Sequence, residues 1–495
     1  MNIAARQPIL VRELRQASRQ GRTPWILGVL TLLLTLAMAS VAAMMAANDA
    51  PLHVIGATLY QTFFALGTCV VVVVGATVAA NGVASEHDGH TWEALLLSGL
   101  SPGAIAVGKF LSAYTQVATY LVVLAPVLAL SFLVGGVTVT EVVVGLGLLL
   151  AVAALAVAFG LAMSSLVRSS RGALVATVLT TLVVGPVVYG LFIGAGVLGT
   201  GLVGGEIDPG PSWLALGIAR APFGLRYALV FLVDPLLALV LPGWFLFEIT
   251  KASLTSTGDD RSSGLRRWFV TATLLLVAAA LATIALAPSA HARGWVAAVS
   301  LVLVALHLGL VALVFAGEPL ALSRRVAMVW ARTGATFLRR ALGPGIGRAM
   351  VVQAVVGSVA LATIVGVGDR VVDPATLPRL TLVGLYAGGF HLFVVGLAGT
   401  LSVWTCRPTL ARIVVIAVVA LLVVVPLGVA EIVYASTGSS TARALGALSP
   451  AYPATIGHSP ADLVLNVGFA TAIGYGLIGV ALVVATLVSI RRTNS

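Results

Sequence analysis

Charge is scarce in this chain. Asp, Glu, Lys and Arg make up 9 % of its 495 residues, against about 25 % in an ordinary soluble domain. So few charges cannot cover a water-facing surface, which excludes the soluble enzyme classes. Lysine is nearly missing: Lys109 and Lys251 are the two lysines among 28 basic residues. Cysteine is as rare. Cys69 and Cys406 sit in or near apolar stretches and offer neither metal-ligand spacing nor a disulfide framework, so no metal site is expected. Ten-residue segments of alternating polarity, the mark of an outer-membrane barrel, do not occur either.

Apolar length is what the chain has. Hydrophobic residues reach 59 % and the mean hydropathy is +1.09. A membrane helix needs about 20 apolar residues. Twelve stretches qualify: 25–47, 54–80, 110–134, 140–167, 172–199, 228–250, 268–288, 294–316, 346–366, 380–401, 411–434 and 463–490. The fold class is therefore an all-α polytopic membrane protein, with no length left for a soluble catalytic domain. Residues 1–24 are too long for the charged part of a cleavable signal, and 25–47 is long enough to span, so it reads as a retained first helix. The sixth stretch holds Pro235 and Pro242 and is expected to kink.

The formal net charge is +11. In a soluble protein this would point to nucleic acid; here basic loops on the cytoplasmic side account for it. With the N-terminus inside, 22 of the 28 Arg and Lys fall on inner segments. Six fall outside: Arg220, Arg226, Arg293, Arg370, Arg379 and Arg443. One helix more or fewer would scramble this bias, so it supports twelve spans with both termini cytoplasmic. The excess of Arg, Ala, Val, Gly and Leu fits a GC-rich bacterial genome, hence a bacterial inner-membrane location with lipids and no nucleic acid as partners.

The spans divide six plus six. The second and eighth are each followed by a long inner segment, 81–109 and 317–345, and the fifth and eleventh by outer loops of equal length, 200–227 and 435–462. An even number gives both halves one orientation, a parallel repeat pattern. Leu100-Ser101-Pro102-Gly103 and Leu342-Gly343-Pro344-Gly345 occupy comparable places. Duplication and coincidence both account for this. The expected division is 1–250, a polar cytoplasmic linker at 251–267, and 268–495. Either outer loop has room for a re-entrant or surface helix that gates the outer face; the first carries Glu206, Asp208 and Trp213.

Two inner segments carry candidate chemistry. In Pro8–Arg19, helical spacing puts Arg12, Arg15 and Arg19 on one face and Leu10, Leu14 and Ala17 on another. Such a helix lies at the interface with its arginines among anionic headgroups, either as a topology anchor or as an elbow against a partner. The second segment, Ala84-Ser-Glu-His-Asp-Gly-His-Thr-Trp-Glu-Ala-Leu-Leu-Leu-Ser-Gly-Leu-Ser-Pro102, ends at Gly108-Lys109. Acids come first, then a short amphipathic run, then a breaker. Glu86, Asp88 and Glu93 oppose the positive-inside trend, so something other than topology keeps them there.

This segment resembles the first cytoplasmic loop of ABC-2 type transporter permeases, which shows a Glu-rich, Gly-Thr-x-Glu-x-Leu-Leu pattern, a small-residue-Leu-Ser turn and Gly-Lys at the third helix. Glu86, Thr91, Glu93, Leu95, Leu96, Leu100, Ser101, Gly108 and Lys109 fall on it, and Pro8-x-x-x-Arg12-Glu13-Leu14-Arg15 is similar to that family's start. His87 stands where Arg is common, His90 separates Gly89 from Thr91, and Gly99 replaces a frequent Pro. The resemblance covers roughly residues 1–250; Gly317–Arg325 is at best a remnant of the loop. It implies the membrane subunit of an ATP-binding cassette exporter. Its coupling loop of Glu86, Asp88, Thr91, Trp92, Glu93, Leu96, Ser101 and Lys109 would dock on a separate ATPase, and Arg12, Glu13, Arg15 and Arg19 would form the elbow helix. ATP and Mg would then be bound by the partner and not by this chain, which is no enzyme itself. A second permease copy is a further partner the family allows.

Gly103-Ala-Ile-Ala-Val-Gly108-Lys109 matches seven positions of a phosphate-binding loop, but Phe110 stands where the Mg-ligating hydroxyl belongs and a span follows at once. Ionisable residues inside spans are functional candidates by default. Asp234, His307 and His391 qualify for a substrate path, against hydrogen bonding to neighbouring helices as the plainer reading. None forms a relay spacing. An ion-gradient-driven transporter and a membrane-embedded transferase remain the competing readings; the first lacks paired buried charges and the second lacks an Asp-x-Asp or His cluster.

Overall fold

The computed structural model describes residues 10–13, 15, 22–97, 99–167, 169–204, 207, 209–256, 258–334, 336–372, 377–437, 442–452 and 462–494. The protein is 86 % helical, with no strand among the described residues and twelve helices long and apolar enough to cross a membrane. The chain separates into two compact units, residues 1–255 and 256–495.

In the first unit the spans are α1 (Arg22–Ala46), α2 (Leu52–Ala80), α5 (Pro102–Val134), α6 (Val139–Leu166), α7 (Ser170–Val203) and α9 (Leu225–Leu254). Two short helices, α3 (Ala84–Asp88) and α4 (Trp92–Leu97), follow α2, and α8 (Trp213–Arg220) lies between α7 and α9. The ends are set by side chains. Ser101 caps α5 by accepting the Ala104 N–H at 3.2 Å, with Pro102 at the first helical position. Thr138 and Glu141 form a capping box at the start of α6. α2 lies at the centre, against α1, α5, α6 and α7, while α6 also meets α5, α7 and α9. Phe63, Leu149, Val157, Leu128 and Ile105 are fully buried in the shared core. The α2–α6 seam closes where Gly160 faces the Ala76 carbonyl; a Cβ there would run into that oxygen. α5 begins eight residues before the expected 110, so the Gly103–Lys109 stretch is helix, not a phosphate-cradling loop. α9 carries a π-helical stretch, Ala228–Val233, immediately before Asp234-Pro235, while Pro242 sits inside the regular helix that follows.

The second unit contains α10 (Ser263–Leu286), α11 (Ala290–Phe315), α14 (Ile346–Val371), α15 (Leu377–Thr405), α16 (Pro408–Thr437) and α18 (Asp462–Asn494) as spans. Its short helices are α12 (Arg324–Thr333), α13 (Phe337–Ala341) and α17 (Ala442–Gly446). α15 is central and the most buried span, at 61 % of its apolar window. It packs against α11, α14, α16 and α18, and α10 leans on α11 and α14. The α15–α18 seam is glycine-lined: a Cβ on Gly396 would lie 2.7 Å from the Gly479 carbonyl oxygen. Apolar surfaces on the outer helices, such as Val183 and Val187 of α7 or Leu421 and Val424 of α16, remain exposed and suit a lipid environment. α9 and α10 extend into the expected linker from both sides, and the described residues between them, 255–256 and 258–262, are non-helical.

Candidate functional site: a charge clasp under the inner loop

The acids that stood out in the sequence are gathered at one end of the first unit. α3 continues α2 after a short turn, and the turn is held by Ser164 of α6, whose hydroxyl accepts the N–H groups of Val83 at 2.9 Å and Ala84 at 3.0 Å. This holds Glu86 turned inward, with its side chain 9 % exposed. Lys109, in the second turn of α5, approaches from the other side and donates to Glu86 Oε1 at 3.0 Å. Arg12 donates to the same oxygen at 2.6 Å and to Glu13 at 2.9 Å, and Lys109 also reaches Glu13 at 3.2 Å. The Thr91 hydroxyl closes on Glu86 Oε2, and the Thr91 N–H bonds the Glu86 carbonyl at 3.0 Å.

Two cations and two carboxylates thus form a closed, electrically neutral set. Burying a charge is tolerable when it is paired and hydrogen-bonded, and both conditions are met at Glu86 and Lys109. The hydrogen bond to Glu13, and then those to Glu86, raise the Arg12 guanidinium above its ordinary value. One further tie completes the clasp: Asp88 Oδ2 accepts the Ser170 N–H at 2.8 Å, at the first turn of α7. The loop is therefore fastened separately to the N-terminal segment, α5, α6 and α7.

The structure corrects one expectation. Glu86 is not a surface anchor for a partner, because its carboxylate is consumed by Arg12, Lys109 and Thr91. Glu93 is exposed on α4, and Leu97 at the end of that helix is 86 % exposed. Thr91 and Ser101 have local structural roles, the first on Glu86 and the second as the α5 cap. Residues 10–13 and 15 are helical, and Arg15 is exposed. Arg19, Glu206 and Asp208, and the side chains of Trp92, Leu96 and Arg443, lie outside the described residues.

The intramembrane candidates have separate surroundings. His307 shares a 3.3 Å hydrogen bond with Thr273 and lies against Trp268 and Phe269. His391 is buried, bonded to the Gln353 carbonyl at 3.1 Å. Asp234 belongs to the first unit and both histidines to the second. Each histidine thus shares one hydrogen bond with a neighbouring helix.

At the opposite end of the first unit, α8 is tucked in rather than floating. Trp213 donates to the Phe192 carbonyl at 3.1 Å and packs on Phe192 and Phe231. Arg220 reaches Glu141 Oε2 at 3.0 Å and the Gly136 carbonyl at 3.2 Å. The Glu141 hydrogen bond raises the Arg220 guanidinium above its ordinary value. A cavity of about 200 Å³ opens beside it, lined by Tyr60, Gln61, Ile207, Leu216 and Arg220 among others. Sequence reasoning missed the Glu141–Arg220 pair. Glu141 could have been read from its Thr-x-x-Glu capping spacing, whereas nothing marks Ser164 among the other serines.

Residues 53–202 match the family model described as ABC-2 family transporter protein, a stretch that includes Glu86, Thr91, Lys109, Ser164 and Ser170. No curated protein and no solved structure matches the chain. Residues 53–202 are thus similar to ABC-2 family transporter proteins, within a chain whose described residues include twelve helices long and apolar enough to cross a membrane.

Proposed function

We propose that the chain is the permease of an ATP-driven exporter and that a separate ATPase subunit presses on the α3–α4 loop from the cytoplasmic side. The observation that carries this is the fourfold fastening of the loop. A force applied to α4 reaches α5 through Lys109, α6 through Ser164, α7 through Asp88 and the N-terminal helix through Arg12. Rigid elements joined in this way transmit a rigid-body displacement. Leu97 and Glu93 supply the exposed contact, and the internal clasp supplies the stiffness behind it. ATP and Mg belong to the ATPase, since the Lys109 ammonium is spent on two carboxylates.

The test is co-purification of the ATPase with Glu93→Arg/Leu97→Asp in the full chain, alongside ATPase activity in the membrane. Apolar anchors and charges at a desolvated interface each cost several kcal/mol when reversed, so retention should fall at least about tenfold while membrane expression is unchanged. Undiminished co-purification would remove the loop from the interface.

A further inference from the structure

One inner segment carries cations without acids. Residues 319–345 hold Arg324, Arg325, Arg332, Arg339 and Arg340, and neither Asp nor Glu. Arg325 meets Asp259 at 3.2 Å, and Arg339 donates to the Thr333 hydroxyl at 3.3 Å. Arg324, Arg332 and Arg340 are exposed and make no hydrogen bond or ion pair among the described residues. Topology alone asks for an excess of basic residues on this side. It does not ask for apolar side chains exposed among them.

α12 turns one narrow face to the protein. Ser323 starts it by accepting the Val326 N–H at 3.2 Å, and Gly334 ends it in the left-handed region, with φ at 59°. Val326 and Trp330, one turn apart, pack with Leu322. Arg348 lies 5.1 Å over the Trp330 ring, and a Cβ on Gly343 would run into that ring. At about 100° per residue, Arg324, Met328 and Arg332 fall on the opposite face, and all three are exposed. α13 buries none of its residues; Phe337 is 85 % and Leu338 69 % exposed, directly before Arg339 and Arg340.

The depth of this pair of helices is fixed by the spans around it. Glu318, just after α11, accepts the Gly345 N–H at 3.1 Å and pairs with Arg266, in the first turn of α10, at 3.0 Å. Arg266 has no exposed surface and donates to the carbonyls of Gly345 at 2.9 Å, Ala341 at 3.3 Å and Gly343. Ala341 ends α13, and Ile346 begins the α14 span. α13 is thus tied to the ends of two spans and the start of a third, at the boundary between hydrocarbon and water. Rings and alkyl stems lie among acyl chains in that layer, while guanidiniums reach the phosphates.

We propose that α12–α13 is a binding site for anionic phospholipid in the cytoplasmic leaflet. Arg324, Arg332 and Arg340 hold the phosphates, which a guanidinium matches with parallel N–H donors. Met328, Phe337 and Leu338 enter the acyl region. Lipid is favoured over an acidic protein surface by the two consecutive apolar side chains of α13, held at the membrane boundary by Arg266 and Glu318. The site is independent of the reading of α3–α4.

The experiment places benzoylphenylalanine at Phe337 in the full chain. One sample is irradiated in native membranes with the ATPase co-expressed, the other in vesicles of equal phosphatidylcholine and phosphatidylglycerol. Mass spectrometry identifies the adducts. The expected result is phospholipid capture in both, with phosphatidylglycerol ahead by about tenfold or more in the vesicles. Arg332→Gln/Arg340→Gln should bring the two lipids level while the size-exclusion profile stays monodisperse. Equal capture of both lipids by the parent chain, or an unchanged preference in the double variant, overturns headgroup recognition. An adduct on the ATPase in place of lipid assigns α12–α13 to a protein interface and overturns the proposal, as does the absence of any adduct.

Discussion

Lys109 Nζ stands 3.0 Å from Glu86 Oε1 and 3.2 Å from Glu13 Oε1, with 2 % of its side chain exposed. A lysine placed where a phosphate-binding loop would use it is instead the buried counter-ion of the α3–α4 loop.

Glu86→Gln removes one partner of a buried pair, and breaking such pairs costs about 3–5 kcal/mol. The variant should melt well below the parent in detergent, by fluorescence-detected thermal unfolding. Replacing both charges, Glu86→Leu with Lys109→Met, should recover most of the loss. Arg12 is half exposed, so Arg12→Ala should cost no more than about 1 kcal/mol. Equal damage from Arg12→Ala and Glu86→Gln would contradict this ranking.

The purified chain should bind ATP at background level, and Lys109→Ala should leave that background unchanged. Isothermal titration with Mg-ATP is the measurement. Saturable micromolar binding by the parent chain would falsify the assignment of nucleotide to the partner.

In a background without Cys69 and Cys406, His90→Cys should resist an impermeant thiol reagent added outside intact cells, and Phe223→Cys should react. Phe223 is 89 % exposed, so a missing label there reports sidedness rather than burial. The reverse labelling pattern would invert the orientation drawn from the arginine bias.

Gly160→Val places a side chain into the Ala76 carbonyl. Overpacking of this kind costs about 1–3 kcal/mol and here forces α2 and α6 apart. Size-exclusion profiles should show loss of the monodisperse peak, while Gly147→Val, at a position with open space around it, should keep it. Matching profiles would mean the seam has room that the structure does not show.

The spans were legible because hydropathy over 20 residues is a strong signal, and most ends shifted by only a few residues. The start of α5 was the exception. Gly103–Gly108 reads as a loop by its two glycines, yet Ser101 and Pro102 start a helix that carries it. The α3–α4 loop stood out by acids that defy the charge bias, but the direction in which Glu86 points did not. That depends on Lys109 and Arg12 arriving from 23 and 74 residues away, and pairings at such range leave no local pattern. Glu318 carried the same signal, an acid on a basic inner segment, and was passed over because the motif around Glu86 is missing there.

The glycine-lined seams divide each unit into parts that can and cannot slide. Where Gly160 meets Ala76, and where Gly396 meets Gly479, backbones touch with no side chains between them to change rotamer. Interfaces without such bearings shift as blocks or not at all. The seamed pairs, α2 with α6 and α15 with α18, are therefore the chassis of their units. Any sliding within a unit is left to the spans outside these seams, among them the little-buried fifth spans α7 and α16.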